Sequence, residues 1–224
     1  MIKIENVEVT GFEAAIRGMR NPLNSLDRSD SIFDFSLPNI DGQYDSCFSA
    51  IAGENAIGHL DKTLMEHLAS GGSCHAKYRR MIAVYVDITA PLYWWKEFDT
   101  YKVGTVSNSC STMHTIHKKE FDISDFSTDK MVELSAEVME NVIIALNMAR
   151  YNYNKADDPD TKKLWWWQMI QLLPSSYNQR RTIMLNYEVL SRMYFDRNSH
   201  KLDEWREFCK WIETLPVAKG VIYI

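Results

Sequence analysis

The residues Met81-Ile82-Ala83-Val84-Tyr85-Val86-Asp87-Ile88 give the strongest strand signal in the chain, and Ala90-Pro91 ends it. Proline fixes φ and has no amide hydrogen, so it cannot continue a central strand, yet it suits the first turn of a helix. The spacing therefore predicts a buried strand, a sharp bend, and an aromatic helix over Leu92 to Tyr101. Ile2 to Val9 alternates roughly and predicts an opening strand, followed by Thr10-Gly11 and a short helix from Phe12 to Met19. Most other patterned segments are helical.

Asn21 to Asn39 is rich in Asn, Ser, Asp and Pro and reads as an irregular loop, long enough to be a functional candidate. Glu54 to Ser70 carries Ile57, Leu60, Leu64 and Leu68 at helical spacing, with Gly71-Gly72 as its stop. Gly104 to Met113 reads as a Ser/Thr/Asn loop. Ser127 or Thr128 can cap a long helix to about Tyr153, with Met131, Leu134, Val138, Val142, Ile143 and Leu146 as its buried stripe. Further helices are predicted over Lys162 to Leu173, Tyr177 to Tyr194 and Leu202 to Leu215, and a short strand over Val217 to Ile224. The fold class is α+β, with few strands and a helical C-terminal half.

The 224 residues suit one domain with excursions, or two small ones. The net charge of −5 excludes a generally basic coat, so no nucleic-acid partner is expected. No apolar run approaches the roughly 18 residues of a membrane span. Met1-Ile2-Lys3-Ile4-Glu5 has no apolar signal core, so a cytoplasmic chain with reduced thiols is expected. Cys47, Cys74, Cys110 and Cys209 form no CxxC pair, and Cys110, His114 and His117 have no nearby carboxylate to complete a metal site. With only nine glycines, there is little material for a Gly-rich phosphate loop.

Two stretches concentrate polar chemistry. The first holds Glu97, Tyr101, Lys102, Ser107, Asn108, Ser109 and Ser111, where a cation and several hydroxyls can meet phosphate oxygens. The same residues also suit a helix C-terminus with a cation on its dipole and a polar surface loop. The second runs from Leu173-Pro174 through Arg180, Asn186 and Arg192 to Arg197-Asn198-Ser199-His200. If the predicted helix is continuous, Asn186 and Arg197 fall near one side, and Arg197 either clamps an anion or pairs with Asp196 or Glu204. Trp94-Trp95 and Trp165-Trp166-Trp167 cover several helix faces, so part of each run enters the core and part suits an interface or a ligand ring.

In this order the segments resemble the flavin-dependent thymidylate synthases, from about Leu64 to Phe208. The matching text is Met65-Glu66-His67-Leu68, Gly71-Gly72, Val84-Tyr85-Val86-Asp87-Ile88-Thr89-Ala90-Pro91 and Trp94-Trp95-Lys96-Glu97-Phe98. It continues with Asn108 and Ser111 of the Ser/Asn loop, Leu173-Pro174, Arg180, Asn186, Arg197 and Trp205. The family's Arg-His-Arg motif falls on Thr100-Tyr101-Lys102, its loop Glu and Arg on Ser109 and Met113, and a later Arg on Glu188.

The resemblance implies a fold like that of the thymidylate synthase-complementing proteins, a small central sheet with long helices, over a single domain from 1 to 224. It implies a homotetramer using FAD, with NADPH and methylenetetrahydrofolate as co-substrates, that transfers a one-carbon unit to C5 of dUMP. Thr100, Tyr101, Lys102 and Asn186 are then expected at the cofactor. Glu97, Asn108, Ser109, Ser111, Arg180 and Arg197 are expected at the pyrimidine deoxynucleotide, with Ser111 and Arg197 as the catalytic pair. The altered motif keeps two alternatives open: another C5 modification of a pyrimidine deoxynucleotide, or a non-catalytic protein of this fold that binds nucleotide or a partner.

Overall fold

The chain opens with β1 (Lys3–Thr10) and α1 (Phe12–Arg20), joined at Gly11. Gly11 has φ +93°, and a Cβ there would sit 2.1 Å from the Met81 carbonyl oxygen, so only glycine fits this turn. The computed structural model describes residues 2–33 and 57–223. The end of the predicted 21–39 loop, the start of the helix predicted from Glu54, Cys47 and the last residue of the tail lie outside them.

Downstream of α2 (His59–Ser70), β2 (Ala83–Pro91) forms where a strand is predicted over Met81 to Ile88, but it runs on through the Ala90-Pro91 predicted to end it. Val84, Val86, Ile88 and Ala90 are buried and Tyr85 is exposed, as expected of a strand with one covered face. Pro91 then hands over to α3 (Leu92–Phe98). The predicted Gly104–Met113 loop contains β3 (Val106–Ser109) and the start of the one-turn α4 (Thr112–Thr115). There follow α5 (Glu133–Lys155), α6 (Pro159–Leu172), β4 (Asn178–Asn186), α7 (Tyr187–Arg197) and α8 (Asp203–Glu213). The tail turns through Ala218–Val221 and makes only an isolated bridge between Lys219 and Tyr223, not the predicted strand.

The strands form one sheet in the order β1-β2-β4-β3. Leu92 N donates to Tyr177 O (3.0 Å), Tyr187 N donates to Ile82 O (3.1 Å), and midway the Thr182 hydroxyl donates to Asp87 (2.6 Å). Equal steps in opposite directions make β2 and β4 antiparallel. This corrects the predicted helix over Tyr177 to Tyr194. Ile183 and Leu185 are buried and Thr182 is exposed, a period of two that the apolar spacing of the longer stretch concealed.

The described residues divide into two compact units, and β2 and β4 run through both. One unit holds Ile88–Asp99 and Asn108–Arg181. Its core joins Ile116, Phe121, Phe126, Met139, Leu146, Ala149 and Met169, with Trp165 and Trp166 packed partly against it. Trp94 and Trp95 of α3 are both buried, their rings 4.8 Å apart and T-shaped. The predicted α5 stripe is corrected in part: Leu146 is buried and Met131, Val142 and Ile143 pack partly against this core, but Leu134 and Val138 are exposed and Met139 and Ala149 are buried instead.

The other unit holds Ile4–Asp87, Thr100–Ser107 and Thr182–Ile224. Tyr187, Leu190 and Met193 of α7 and Trp205, Phe208 and Ile212 of α8 are buried in it. In α2 the buried line is Asp61, Met65 and Ala69, while Leu60 is exposed. A leucine-based reading turns this helix the wrong way because the buried position is a carboxylate.

Candidate functional site

The predicted site residues fall into two groups, one in each unit. The first is built around the end of α7 and the segment that follows α3. Tyr101 lies buried, with its ring edge-on to Trp205 at 6.1 Å. Arg197, the last residue of α7, donates its Nε to the Tyr101 phenol oxygen at 2.9 Å. Its guanidinium carbon lies 4.9 Å from the centre of the wholly buried Trp205 ring, a cation–π arrangement that favours keeping the charge there. The Tyr101 hydroxyl donates to Asp196 at 3.1 Å, and Asp196 pairs with Arg192 at 3.7 Å. Burial raises the pKa of Tyr101, and Asp196 acts in the same direction while Arg197 opposes both.

Asn186 is the N-cap of α7: its Oδ1 accepts from Val189 N at 3.0 Å. The helix predicted to run through Asn186 is corrected by this: Asn186 ends β4 and caps α7, and Arg197 closes α7 about three turns further on. The amide nitrogen of Asn186 faces Gly104, where φ is +80° and a Cβ would meet Asn186 Nδ2 at 2.8 Å and Val189 Cγ2 at 2.9 Å. The turn after Lys102 therefore lies tight against the start of α7. Thr100 and Lys102 are exposed. His200 Nδ1 accepts from Leu202 N at 3.2 Å and so helps to form the turn into α8.

The second group lies on β3, β4 and α3. Ser111 is the N-cap of α4, with its Oγ accepting from His114 N at 3.3 Å. Asn108 and Ser109 are exposed on β3, Glu97 is half-buried on α3, and the Arg180 side chain is exposed. The Arg180 carbonyl accepts from Cys110 N at 3.0 Å. No group of three or more His, Cys, Asp or Glu suited to a metal occurs among the described residues.

The sequence reading missed a neighbour of Arg180. Arg181 binds Asp99 at 2.7 Å through Nη1 and Gln179 Oε1 at 3.0 Å through Nε, and lies over the Trp95 ring at 4.2 Å. Gln179 in turn donates to Cys110 O at 3.0 Å, and Trp95 Nε1 donates to Gln179 O at 2.9 Å. This network locks α3 to β4 and to the end of β3. The adjacent Arg180-Arg181 pair was the available signal, and strand alternation decides which of the two turns inward. Asp196 was likewise named only as a competing ion-pair partner of Arg197, whereas it is the acceptor that completes the Tyr101 link.

No protein-family model and no curated protein matches the sequence. Solved structures do match in fold. Helicobacter pylori thymidylate synthase X (ThyX) with FAD and dUMP superposes with a TM-score of 0.64 at 16% identity, covering 100% of this chain and 97% of that one. Another structure of the flavin-dependent enzyme from that organism, also with FAD and dUMP, gives 0.63 at 17% identity, with 99% and 97% covered. The UMP/dUMP methylase PolB from Streptomyces cacaoi, bound with 5-Br dUMP, gives 0.59 at 13% identity, with 98% and 93% covered. The chain has the flavin-dependent thymidylate synthase fold over its full length.

Proposed function

We propose that the chain is a divergent flavin-dependent thymidylate synthase-like enzyme, acting over its whole length as one functional domain on C5 of dUMP. The observation that carries this is the end-to-end likeness in fold to a protein seen with FAD and dUMP, at a chain whose Arg197 is held rigidly by a phenol and an indole. In this reading methylenetetrahydrofolate donates the carbon, NADPH the reducing equivalents, and the working particle is a cytoplasmic homotetramer.

The residues present fit a phosphate-bearing dinucleotide. Lys102 is exposed beside a glycine turn that has no room for a Cβ, and Asn186 Nδ2 lines that turn. Lys102 would neutralise phosphate charge, and Asn186 Nδ2 would donate to a ring carbonyl, its oxygen being committed to the helix cap. A bound flavin supplies hydride chemistry that no side chain here can perform. The protein's own contribution is positioning and electrostatics. Arg197 offers a fixed cation to the pyrimidine as negative charge develops on it, and by the resemblance, which sets the nucleotide sites between subunits, Arg180 is expected to offer a further cation there. Asn108, Ser109 and Glu97 supply polar contacts by the same resemblance. Ser111 keeps α4 capped, so its hydroxyl acts as an oriented hydrogen-bonding group and not as a nucleophile prepared by a base.

A second reading, another C5 modification of the same nucleotide, is favoured by one observation. Tyr101, where the resemblance sets a histidine, is engaged with Arg197 and Asp196. The test is the visible spectrum of the purified protein with and without FAD, together with dUMP-dependent thermal shift. Ligand at 100 times its Kd stabilises by about 2.7 kcal/mol. Flavin uptake, a dUMP shift and a product heavier than dUMP by one CH2, a methyl in place of a hydrogen, support the first reading, and a hydroxymethyl mass supports the second. A colourless protein that takes up no FAD and gives no shift sinks both.

A further inference from the structure

We infer that Tyr101 is a positioning residue for Arg197, acting on the nucleotide only through that arginine and not by contact with flavin. The inference rests on the proposed reading of Arg197 as a nucleotide ligand. It departs from what the resemblance implies for Tyr101, which is a place at the cofactor.

The directions of the hydrogen bonds are fixed by chemistry. A guanidinium can only donate, so in the 2.9 Å contact the phenol oxygen accepts from Arg197 Nε. An ionised carboxylate can only accept, so the single phenol hydrogen goes to Asp196 at 3.1 Å. Arg192 pairs with that carboxylate at 3.7 Å. The order is thus Arg197 to Tyr101 to Asp196, with Arg192 behind it. A phenol is protonated at neutral pH and burial moves its pKa further up, so its hydrogen is available to Asp196 there.

The effect on Arg197 is to remove its freedom. Its face lies over Trp205, which is 0% exposed, and its Nε is tied in the guanidinium plane. Tyr101 is itself 8% exposed and packed edge-on to Trp205, which leaves its hydroxyl oriented towards the arginine and Asp196. A long, flexible cation becomes a fixed one, and a ligand does not have to order it on binding.

The test is a double-mutant cycle read by calorimetric dUMP binding, with thermal melting to check the fold. Tyr101→Phe keeps the ring and its packing and removes only the hydroxyl; it is expected to weaken dUMP by about tenfold. Arg197→Ala weakens dUMP further, and the double variant binds no more weakly than Arg197→Ala alone. Unchanged affinity in Tyr101→Phe overturns the inference. So do losses that add in the double variant, because they mean that Tyr101 touches the ligand itself. Arg197→Lys keeps the charge but gives up both the Nε–H for the phenol and the guanidinium that meets the ligand, so it should lose at least tenfold even if Tyr101→Phe does not fold; full affinity in that variant also overturns the inference. If the unaltered protein fails to bind dUMP at all, the functional reading falls first and takes this inference with it. Normal binding in the unaltered protein and in Tyr101→Phe removes only the inference.

Discussion

Arg20 donates its Nε to Asp61 Oδ1 at 2.5 Å, and both side chains are almost wholly buried, at 5% and 0% exposed. Asp61 also accepts from the hydroxyls of Ser29 (2.7 Å) and Ser31 (2.6 Å) and from Asp30 N and Ser31 N. The carboxylate ties α1, α2 and the segment over 29–31 together. Removing one partner of a buried pair leaves the other uncompensated, at a cost of about 3–5 kcal/mol. Asp61→Ala is therefore expected to lower the unfolding midpoint in urea sharply.

The same carboxylate sets an acid limit. Burial alone would raise its pKa, but hydrogen bonds from Ser31, Ser29 and Arg20, with the charge of Arg20, outweigh it and lower the pKa below 3.8. A lowered folded pKa gives stability that is present above the ordinary carboxylate value and is lost as pH falls through the folded one. Stability should decline below about pH 4, and Asp61→Asn should flatten that part of the curve. Denaturant melts between pH 5 and pH 2 check it; an unchanged slope in Asp61→Asn would exclude Asp61 as the titrating group.

At the alkaline end, Tyr78 is buried and donates to Met65 O at 2.7 Å. Burial pushes its pKa up to about 12, although the charge of Arg79 works against this. The raised value means a contribution that is complete below about pH 10 and lost as pH rises towards 12. Tyr78→Phe should be less stable than the unaltered protein at neutral pH by about 1 kcal/mol, with the gap narrowing in that alkaline window. Ultraviolet titration of the two proteins should differ by one late-ionising phenol.

Gly104→Ala should distort the candidate cofactor turn. Its φ of +80° costs an alanine about 1 kcal/mol, and the new methyl would press on Asn186 Nδ2 at 2.8 Å. The expected result is a lower Tm together with weaker FAD uptake. A variant with a lower Tm and full FAD affinity would separate the turn from the cofactor.

Lys102→Gln should leave Tm within about a degree, because the side chain is exposed and the change is on the surface. FAD affinity should fall several-fold at low salt, with the difference shrinking as salt screens the contact. Equal affinity in both proteins at low ionic strength would remove Lys102 from the cofactor contacts.

Much of the scaffold was legible from local chemistry. Gly11, Ala90-Pro91 and Leu173-Pro174 mark boundaries because each residue restricts or frees its own backbone, independently of the rest of the chain. The helix predicted from Lys162 begins earlier, where Asp158 caps α6 through Thr161 N and Pro159 opens it. β4 was not legible: its nine residues read equally as the start of a helix until β2 provides a partner for its backbone groups. Nor was the buried side of α2, because hydropathy places a carboxylate outside and only Arg20, distant in sequence, makes its burial tolerable.

The sequence by itself determined an α+β chain with a strand, an Ala-Pro bend and an aromatic helix, and it picked out Tyr101, Asn186 and Arg197 as residues of interest. The tertiary structure decided what each of them does. Asn186 became a helix cap when the strand before α7 ended there. Tyr101 and Arg197, 96 residues apart, became hydrogen-bond partners only when α7 and α8 packed beside the segment after α3. Backbone preferences act over a few residues and leave their mark in sequence. The direction of a hydrogen bond between distant side chains depends on which surfaces are buried together, and no local pattern records that.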